Sequence, residues 1–482
     1  MSWINRKSYN RNSDREKSYP FARWTSWLFL AASIFILIFI YYRAEMTLKA
    51  TSNDRYMIFY IISIAGIFFW AIVLRLRKNL QLGIVTIAIS ILIGAYIVES
   101  ALTFLSLGSE QFQTNNNKLK AATELGQKYD TRQKLDIINA MKAQGLDVVP
   151  LTSPSMLLRM SKSKNFDFLP LGGVSKKITL GSNEMGYYMT YNSDRYGFNN
   201  PDAEWDSPNL EWLLTGDSYA EGVAVNPGED IAGQLRLITH QPVITLGKAG
   251  NGPLLELAAI SEYAPSLQPK KVLWVYFEGN DLINLQNEKQ FYLLMKYLQE
   301  GFSQNLMNHQ KEADTMLYES LVNSFLNNTS QWINKTRWFR LVRLRNILKL
   351  NNINLTHRKD TASSIYDDDV VIDKLFSEIL IKSRDRVDAF GGKLYFVYLP
   401  TYKRYIDKSI KHDQFLKKSE VLDLVRNLNI PVIEIHQDVF FKSSNPLTLF
   451  PFGLDGHYNP DGYREVAKAI ITSVNKYEQS NK

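Results

Sequence analysis

The sequence predicts an α/β domain with a parallel sheet, preceded by three transmembrane helices and interrupted by a helical insertion. From residue 210 onward, short apolar runs alternate with helical patterns, the rhythm of a sheet covered on both faces. Before it come three apolar segments, each near the roughly 20 residues that cross a bilayer as a helix. Between the third and fourth apolar runs lie residues 284–370, far more chain than one crossover helix needs.

The apolar segments span residues 24–42, 56–74 and 82–105. Trp24, Trp27, Tyr41 and Tyr42 bracket the first as interfacial aromatics do. Glu99 sits near the outer end of the third, where a carboxylate either snorkels to the interface or has a function. Arg6, Lys7, Arg11, Arg15, Lys17 and Arg23 precede the first span, and Arg75, Arg77 and Lys78 separate the second from the third. The positive-inside rule therefore puts the N-terminus in the cytoplasm and everything after about residue 106 outside. In a two-membrane bacterium this is an inner-membrane protein with a periplasmic domain.

Residues 1–23 thus read as a cytoplasmic segment, 24–106 as the membrane helices and 107–209 as an extracytoplasmic linker and accessory region. Within the last, 130–145 has a helical pattern, with Asp130 as its N-cap and Gly145 as its stop. Tyr191–Pro201 is turn-rich and either structural or close to the mouth of a site. In 210–482 the strands are expected at 210–216, 242–247, 271–277, 393–399 and 430–436, with helices at 229–240, 253–264, 371–389, 418–428 and 460–476. The insertion at 284–370 reads as a helical lid or side module. Its Arg337, Arg340, Arg343, Arg345 and Lys349 form either a surface for lipid head groups or acidic glycan, or a solvated face. Asp367, Asp368 and Asp369 read as a solvated loop.

The chain has 482 residues and no cysteine, which excludes disulfides, thiolate metal sites and cysteine nucleophiles together. The formal charge of +8 is gathered before residue 24 and around 335–349, a placement that suits membrane orientation. No zinc-finger, helix-turn-helix or RNA-binding signature accompanies it, so no nucleic-acid partner is expected. No metal-ligand spacing occurs and no cofactor is expected.

Chemistry gathers at the ends of the expected strands. The first runs into Thr215-Gly216-Asp217-Ser218, placing Ser218 at a helix start, where its own N–H faces an incoming oxyanion. A serine hydroxyl becomes a useful nucleophile once a base takes its proton. The second strand runs into Gly247-Lys248-Ala249-Gly250-Asn251-Gly252. This has neither dinucleotide nor P-loop spacing, so close backbone approach to a substrate, with the Gly250 N–H donating, is the functional reading and a plain turn the structural one. The third ends in Glu278-Gly279-Asn280-Asp281, where the Asn280 amide is either an oxyanion donor or a helix cap. Before the last helix comes Asp455-Gly456-His457. An imidazole acting as base needs a carboxylate to hold its tautomer, and Asp455 is the candidate.

The order of these blocks resembles the SGNH (GDSL-like) hydrolase superfamily: Gly216-Asp217-Ser218, then Gly250, then Gly279-Asn280-Asp281, then Asp455 with His457. The resemblance covers about residues 210–477. It implies a flavodoxin-like three-layer sandwich with Ser218 as nucleophile and His457 as base. Asp455 would be the partner of the base, and Ser218, Gly250 and Asn280 would form the oxyanion hole. Two positions depart from the family pattern: Glu278 stands where a glycine is usual, and Asp-x-His replaces Asp-x-x-His. The implied activity is an ester hydrolase acting on acylated cell-envelope glycan or exopolysaccharide, or an O-acyltransferase acting on the same glycans. Three spans are too few for an acyl-donor channel, so transfer requires an acyl-donor or polysaccharide-assembly partner in the membrane. A non-catalytic glycan-binding or assembly subunit is the competing class.

Overall fold

The structure is a computed structural model that describes residues 19–42, 53–104, 110–161, 166–326, 341, 344, 372, 374–406 and 413–480. The chain divides into two compact units: residues 1–113 with 332–357, and residues 114–331 with 358–482.

In the first unit the three apolar segments are helices: α1 (Tyr19–Tyr41), α2 (Asn53–Val73) and α3 (Lys78–Phe104). Among the described residues, Pro20–Tyr41 and Lys78–Leu102 are long and apolar enough to cross a membrane, and Phe59–Val73 is a shorter apolar stretch. The helices pack through small and aromatic groups. A Cβ on Gly66 would stand 2.8 Å from Ser33 Oγ, and Phe29 stacks on Trp70 at 4.6 Å. Glu99 does not snorkel. It is 1% exposed and accepts the backbone N–H of Leu344 at 2.8 Å. A buried carboxylate is retained where donors meet it, and here one donor comes from the insertion. The rest of the basic run 337–349 and the Asp367–Asp369 loop lie outside the described residues.

The second unit begins with α4 (Glu110–Glu124, of which residues from 114 belong here) and α5 (Lys134–Ala143). Asp130 is not the cap of α5. Its carboxylate holds Arg132, while Gln133 and Asp136 form a capping box at the helix start. Gly145 ends the helix with φ +83°.

Next come β1 (Val148–Pro150), α6 (Pro154–Met160), β2 (Ile178–Leu180) and β3 (Thr190–Asn192), the three strands forming a small sheet in the order 1-2-3. Tyr191–Pro201 is structural at its centre. Asp194 accepts the Tyr196 and Phe198 N–H groups at 2.9 Å and the Trp205 indole at 2.7 Å, and Asn200 bonds both backbone groups of Thr245.

The main sheet comprises β4 (Trp212–Gly216), β5 (Val243–Thr245), β6 (Lys271–Phe277), β7 (Lys393–Leu399) and β8 (Val432–Glu434), all parallel, in the order 5-4-6-7-8. This is the doubly wound order, with the topological switch at β4. Alternation along the strands divides the core. Leu213, Val272, Trp274, Leu394 and Phe396 face α9 (Pro253–Leu267) and the helices Lys374–Ala389 and Lys418–Asn427. Trp212, Leu214, Leu273, Val275, Tyr395 and Val397 face α8 (Ile231–Thr239) and the final helix Pro460–Ser480. A strand buried on both faces reads as a continuous apolar run, which is why KVLWVYF and KLYFVYL are strands at the expected residues.

The described part of the insertion is no free lid. After α10 (Asp281–Glu288), residues Phe291, Leu294, Tyr297, Leu306, Leu317 and Val322 join the same buried cluster as β6 and α9. Glu262 of α9 ties them down by accepting from Tyr297 Oη, Ser303 Oγ and the N–H groups of Gln304 and Leu306.

Candidate active site

The site forms at the carboxyl edge of β4, beside the switch point. Gly216 has φ +155°, and a Cβ there would lie 2.8 Å from the Val275 carbonyl, so the strand leaves the sheet through a turn only glycine fits. Asp217 follows, fully buried. Its Oδ1 accepts the Tyr219 N–H at 2.9 Å and caps the one-turn helix α7 (Ser218–Glu221). Ser218 thus becomes the first residue of α7.

Ser218 Oγ lies 2.8 Å from His457 Nε2. Three remote stretches meet at that contact: the β4 turn with α7, the loop before the last helix, and the segment bearing Glu184; two side chains among them support the imidazole. One support is Tyr219, whose ring stands 4.6 Å from His457 and stacks on Phe277 at 4.2 Å. The other is Glu184, whose Oε1 is 2.9 Å from His457 Nδ1 and whose Oε2 accepts the His457 backbone N–H at 2.8 Å.

Glu184 therefore stands where Asp455 was expected. With a single residue between Asp455 and His457, the aspartate side chain is left exposed on the loop, and Nδ1 is met by a carboxylate from the accessory region. Gly456 makes room for it: a Cβ there would come 2.6 Å from Glu184 Oε2. Residue 184 carries no spacing signal relative to the four blocks. The shortened Asp-x-His is the departure from the family pattern that bears on this position, and it does not single out residue 184.

The electrostatics follow the geometry. Burial opposes a charge on Glu184, but the His457 imidazolium, its hydrogen bonds and the nearby Lys118 outweigh it and hold the carboxyl down at about 2. Burial likewise disfavours the imidazolium, yet Glu184, with Asp217 behind it, holds His457 above its ordinary 6.5.

Gly250 and Asn280 both reach this edge. Gly250 has φ +77°, at the turn after β5. Among the described residues, neither the Ser218 nor the Gly250 N–H has a hydrogen-bond acceptor. Asn280 precedes α10, with its side-chain amide against the Asp217 carboxylate and its Oδ1 buried without a partner among the described residues. An amide nitrogen carries two N–H bonds, so this one can face Asp217 and still offer a donor to a substrate oxygen.

Glu278, the departure from the glycine usual in the family pattern, is structural. It is buried in an ion pair with Arg404, also bonds Tyr398 Oη, and accepts the Thr401 N–H at 2.8 Å. It joins the ends of β6 and β7. The Pro400 carbonyl beside Thr401 accepts Tyr458 Oη at 2.6 Å, one residue from His457. Among the described residues no group of three or more His, Cys, Asp or Glu is arranged to hold a metal ion.

No family model and no curated protein matches the chain. Among solved structures it is similar to the lipase/acylhydrolase from Enterococcus faecalis, at 12% identity over 56% of this chain and 97% of that one, with a TM-score of 0.29. An acetyl xylan esterase is similar at 14% identity over 55% and 100%, TM-score 0.30. A GDSL-like lipase from Bacteroides thetaiotaomicron is similar at 12% identity over 55% and 88%, TM-score 0.28.

Proposed function

We propose that this chain is an SGNH-like serine ester hydrolase, held in the membrane by its N-terminal helices and acting outside the cytoplasm on acyl esters of envelope glycan or exopolysaccharide. The observation that carries the reading is the unbroken relay from Ser218 Oγ to His457 Nε2 and from His457 Nδ1 to Glu184, at 2.8 and 2.9 Å. His457 takes the Ser218 proton as Oγ attacks the ester carbonyl, and Glu184 stabilises the imidazolium that results. The carbonyl oxygen, now an oxyanion, is received by the N–H groups of Ser218 and Gly250 and the Asn280 amide. Collapse expels the alcohol, which takes its proton from His457, and leaves an acyl-serine. Water, deprotonated by the same imidazole, then releases the acid.

The location outside the cytoplasm rests on the lysines and arginines that flank the apolar helices. The glycan substrate rests on the pairing of a membrane tether with an esterase-type site. The test is hydrolysis of p-nitrophenyl acetate by the full-length chain in detergent, beside its Ser218→Ala variant. Turnover by the first and at least 1000-fold less by the second is expected on the scale of a lost nucleophile (roughly 10⁴-fold or more). Equal rates would remove the claim. Adding an acceptor oligosaccharide and weighing the products separates release to water from transfer to a sugar hydroxyl.

A further inference from the structure

The Gly250 N–H is useful to an oxyanion only if its peptide plane is held at one angle and one distance from the Ser218 N–H. The peptide that carries it joins Ala249 to Gly250. In a planar trans peptide the C=O and N–H point opposite ways, so whatever fixes the Ala249 carbonyl aims the Gly250 N–H. Ser155 does this: its Oγ, on α6 of the accessory region, donates to Ala249 O at 2.8 Å. A Cβ on Gly250 would come 2.6 Å from that same Oγ, so the hydroxyl sits against the turn.

The other side of Ala249 is held from α7. Glu221, three residues after the nucleophile, accepts the Ala249 N–H on Oε2 at 2.7 Å. Its Oε1 meets Lys248 Nζ and the Tyr191 hydroxyl, the latter at 2.8 Å. The Glu221 and Lys248 side chains are both fully buried. Burying such a pair is costly unless every lone pair and proton is met, and the reaction as described does not use it. Its geometric effect is to tie the helix bearing one oxyanion donor to the loop bearing the other.

We propose that Ser155 and Glu221, the latter neutralised by Lys248 and steadied by Tyr191, are positioning residues that set the direction and spacing of the oxyanion-hole N–H groups. Two of the four, Ser155 and Tyr191, come from the accessory region, so that region completes the oxyanion hole as well as the relay. The inference rests on the ester-hydrolase reading.

The test uses the full-length chain in detergent, with steady-state kinetics and binding of a trifluoromethyl ketone, which adds the serine to mimic the tetrahedral state. Ser155→Ala keeps the fold and is expected to lower kcat about 10-fold with KM within about twofold, since misplacing a group by 1 Å can cost about 100-fold. The ketone should weaken by the same factor, while the acid limb of the pH profile, set by His457, stays in place. Ser155→Thr, which keeps a hydroxyl, should recover most of the loss.

Two double variants then isolate Glu221. E221Q/K248M keeps an acceptor for the Ala249 N–H without a buried charge, and kcat should stay within about threefold of the parent. E221L/K248M removes the acceptor at similar volume, and kcat should fall on the order of 100-fold. Should E221L/K248M not fold, Ser155→Ala against Ser155→Thr decides alone. If Ser155→Ala and E221L/K248M keep the parent kcat and ketone affinity while Ser218→Ala is dead, the positioning role is wrong and the hydrolase stands. An inactive parent chain whose Ser218 is not labelled by a fluorophosphonate overturns the hydrolase reading itself.

Discussion

For the proposed reaction, Glu184 and Asp217 set the direction of the expected pH dependence. His457 must be neutral to take the Ser218 proton, and Glu184 and Asp217 hold its pKa above the ordinary 6.5. Activity is therefore expected to rise with pH through a limb above 6.5 and to fade below it as the imidazole is charged. Replacing Glu184 with glutamine removes the carboxylate that favours the imidazolium. The limb should move to lower pH while the maximum kcat drops by about 1000- to 10,000-fold, the scale of a lost orienting carboxylate. Asp455→Asn should change kcat/KM less than threefold. A pH profile of kcat/KM for the three chains checks both, and an unchanged limb in the glutamine variant would mean that Glu184 does not act on His457. Gly456→Ala belongs with them. Its Cβ would press on Glu184 Oε2 from 2.6 Å, so kcat should fall by at least about 10-fold with the thermal midpoint nearly kept.

At the scale of elements, the site is a set of strand ends, and buried ion pairs tie those ends together. Glu278 after β6 and Arg404 beyond β7 are both removed from solvent. Arg404→Met would leave the Glu278 charge buried and uncompensated, a change that costs roughly 3–5 kcal/mol. The midpoint of urea unfolding should fall accordingly, and E278Q/R404M should recover part of it; equal midpoints for parent and single variant would show the pair to be dispensable. These ties also mark what the residue pattern reveals and what it hides. The five strands were legible because each is an apolar run buried on two faces, and the Ser218 and His457 loops because glycine and a helix start surround them. Glu184 and Ser155 were not. Both are ordinary polar residues, Glu184 in an irregular segment and Ser155 at the start of the short helix α6, and their importance arises from contacts 273 and 94 residues distant along the chain. Glu278, which departs from the family pattern, is one half of an ion pair whose partner, Arg404, no local pattern announces.

For the whole molecule, the division of labour differs from a catalytic domain hung on a linker. Residues 114–209 share one compact unit with the sheet, supplying the carboxylate that meets His457 Nδ1 and the hydroxyl that holds the Ala249 carbonyl. A truncation starting at residue 210 should therefore lose activity even where it folds, and p-nitrophenyl acetate turnover by it at the parent rate would contradict this. Of the insertion, the early helices are buried against the sheet, and Leu344 donates its N–H to Glu99 of the third apolar helix. Topology is tested by fusing a reporter active only in the cytoplasm to the C-terminus. A silent reporter is expected, and a strongly active one would invert the orientation drawn from the flanking lysines and arginines.

The most direct measurement is mass spectrometry of the intact chain and its peptides after timed exposure to a fluorophosphonate at pH 8. A single adduct on Ser218 is expected, forming at the parent rate in Asp455→Asn and at least 100-fold more slowly in Glu184→Gln and His457→Ala. An unlabelled Ser218, or a glutamine variant that reacts as fast as the parent, would contradict the relay of Ser218, His457 and Glu184.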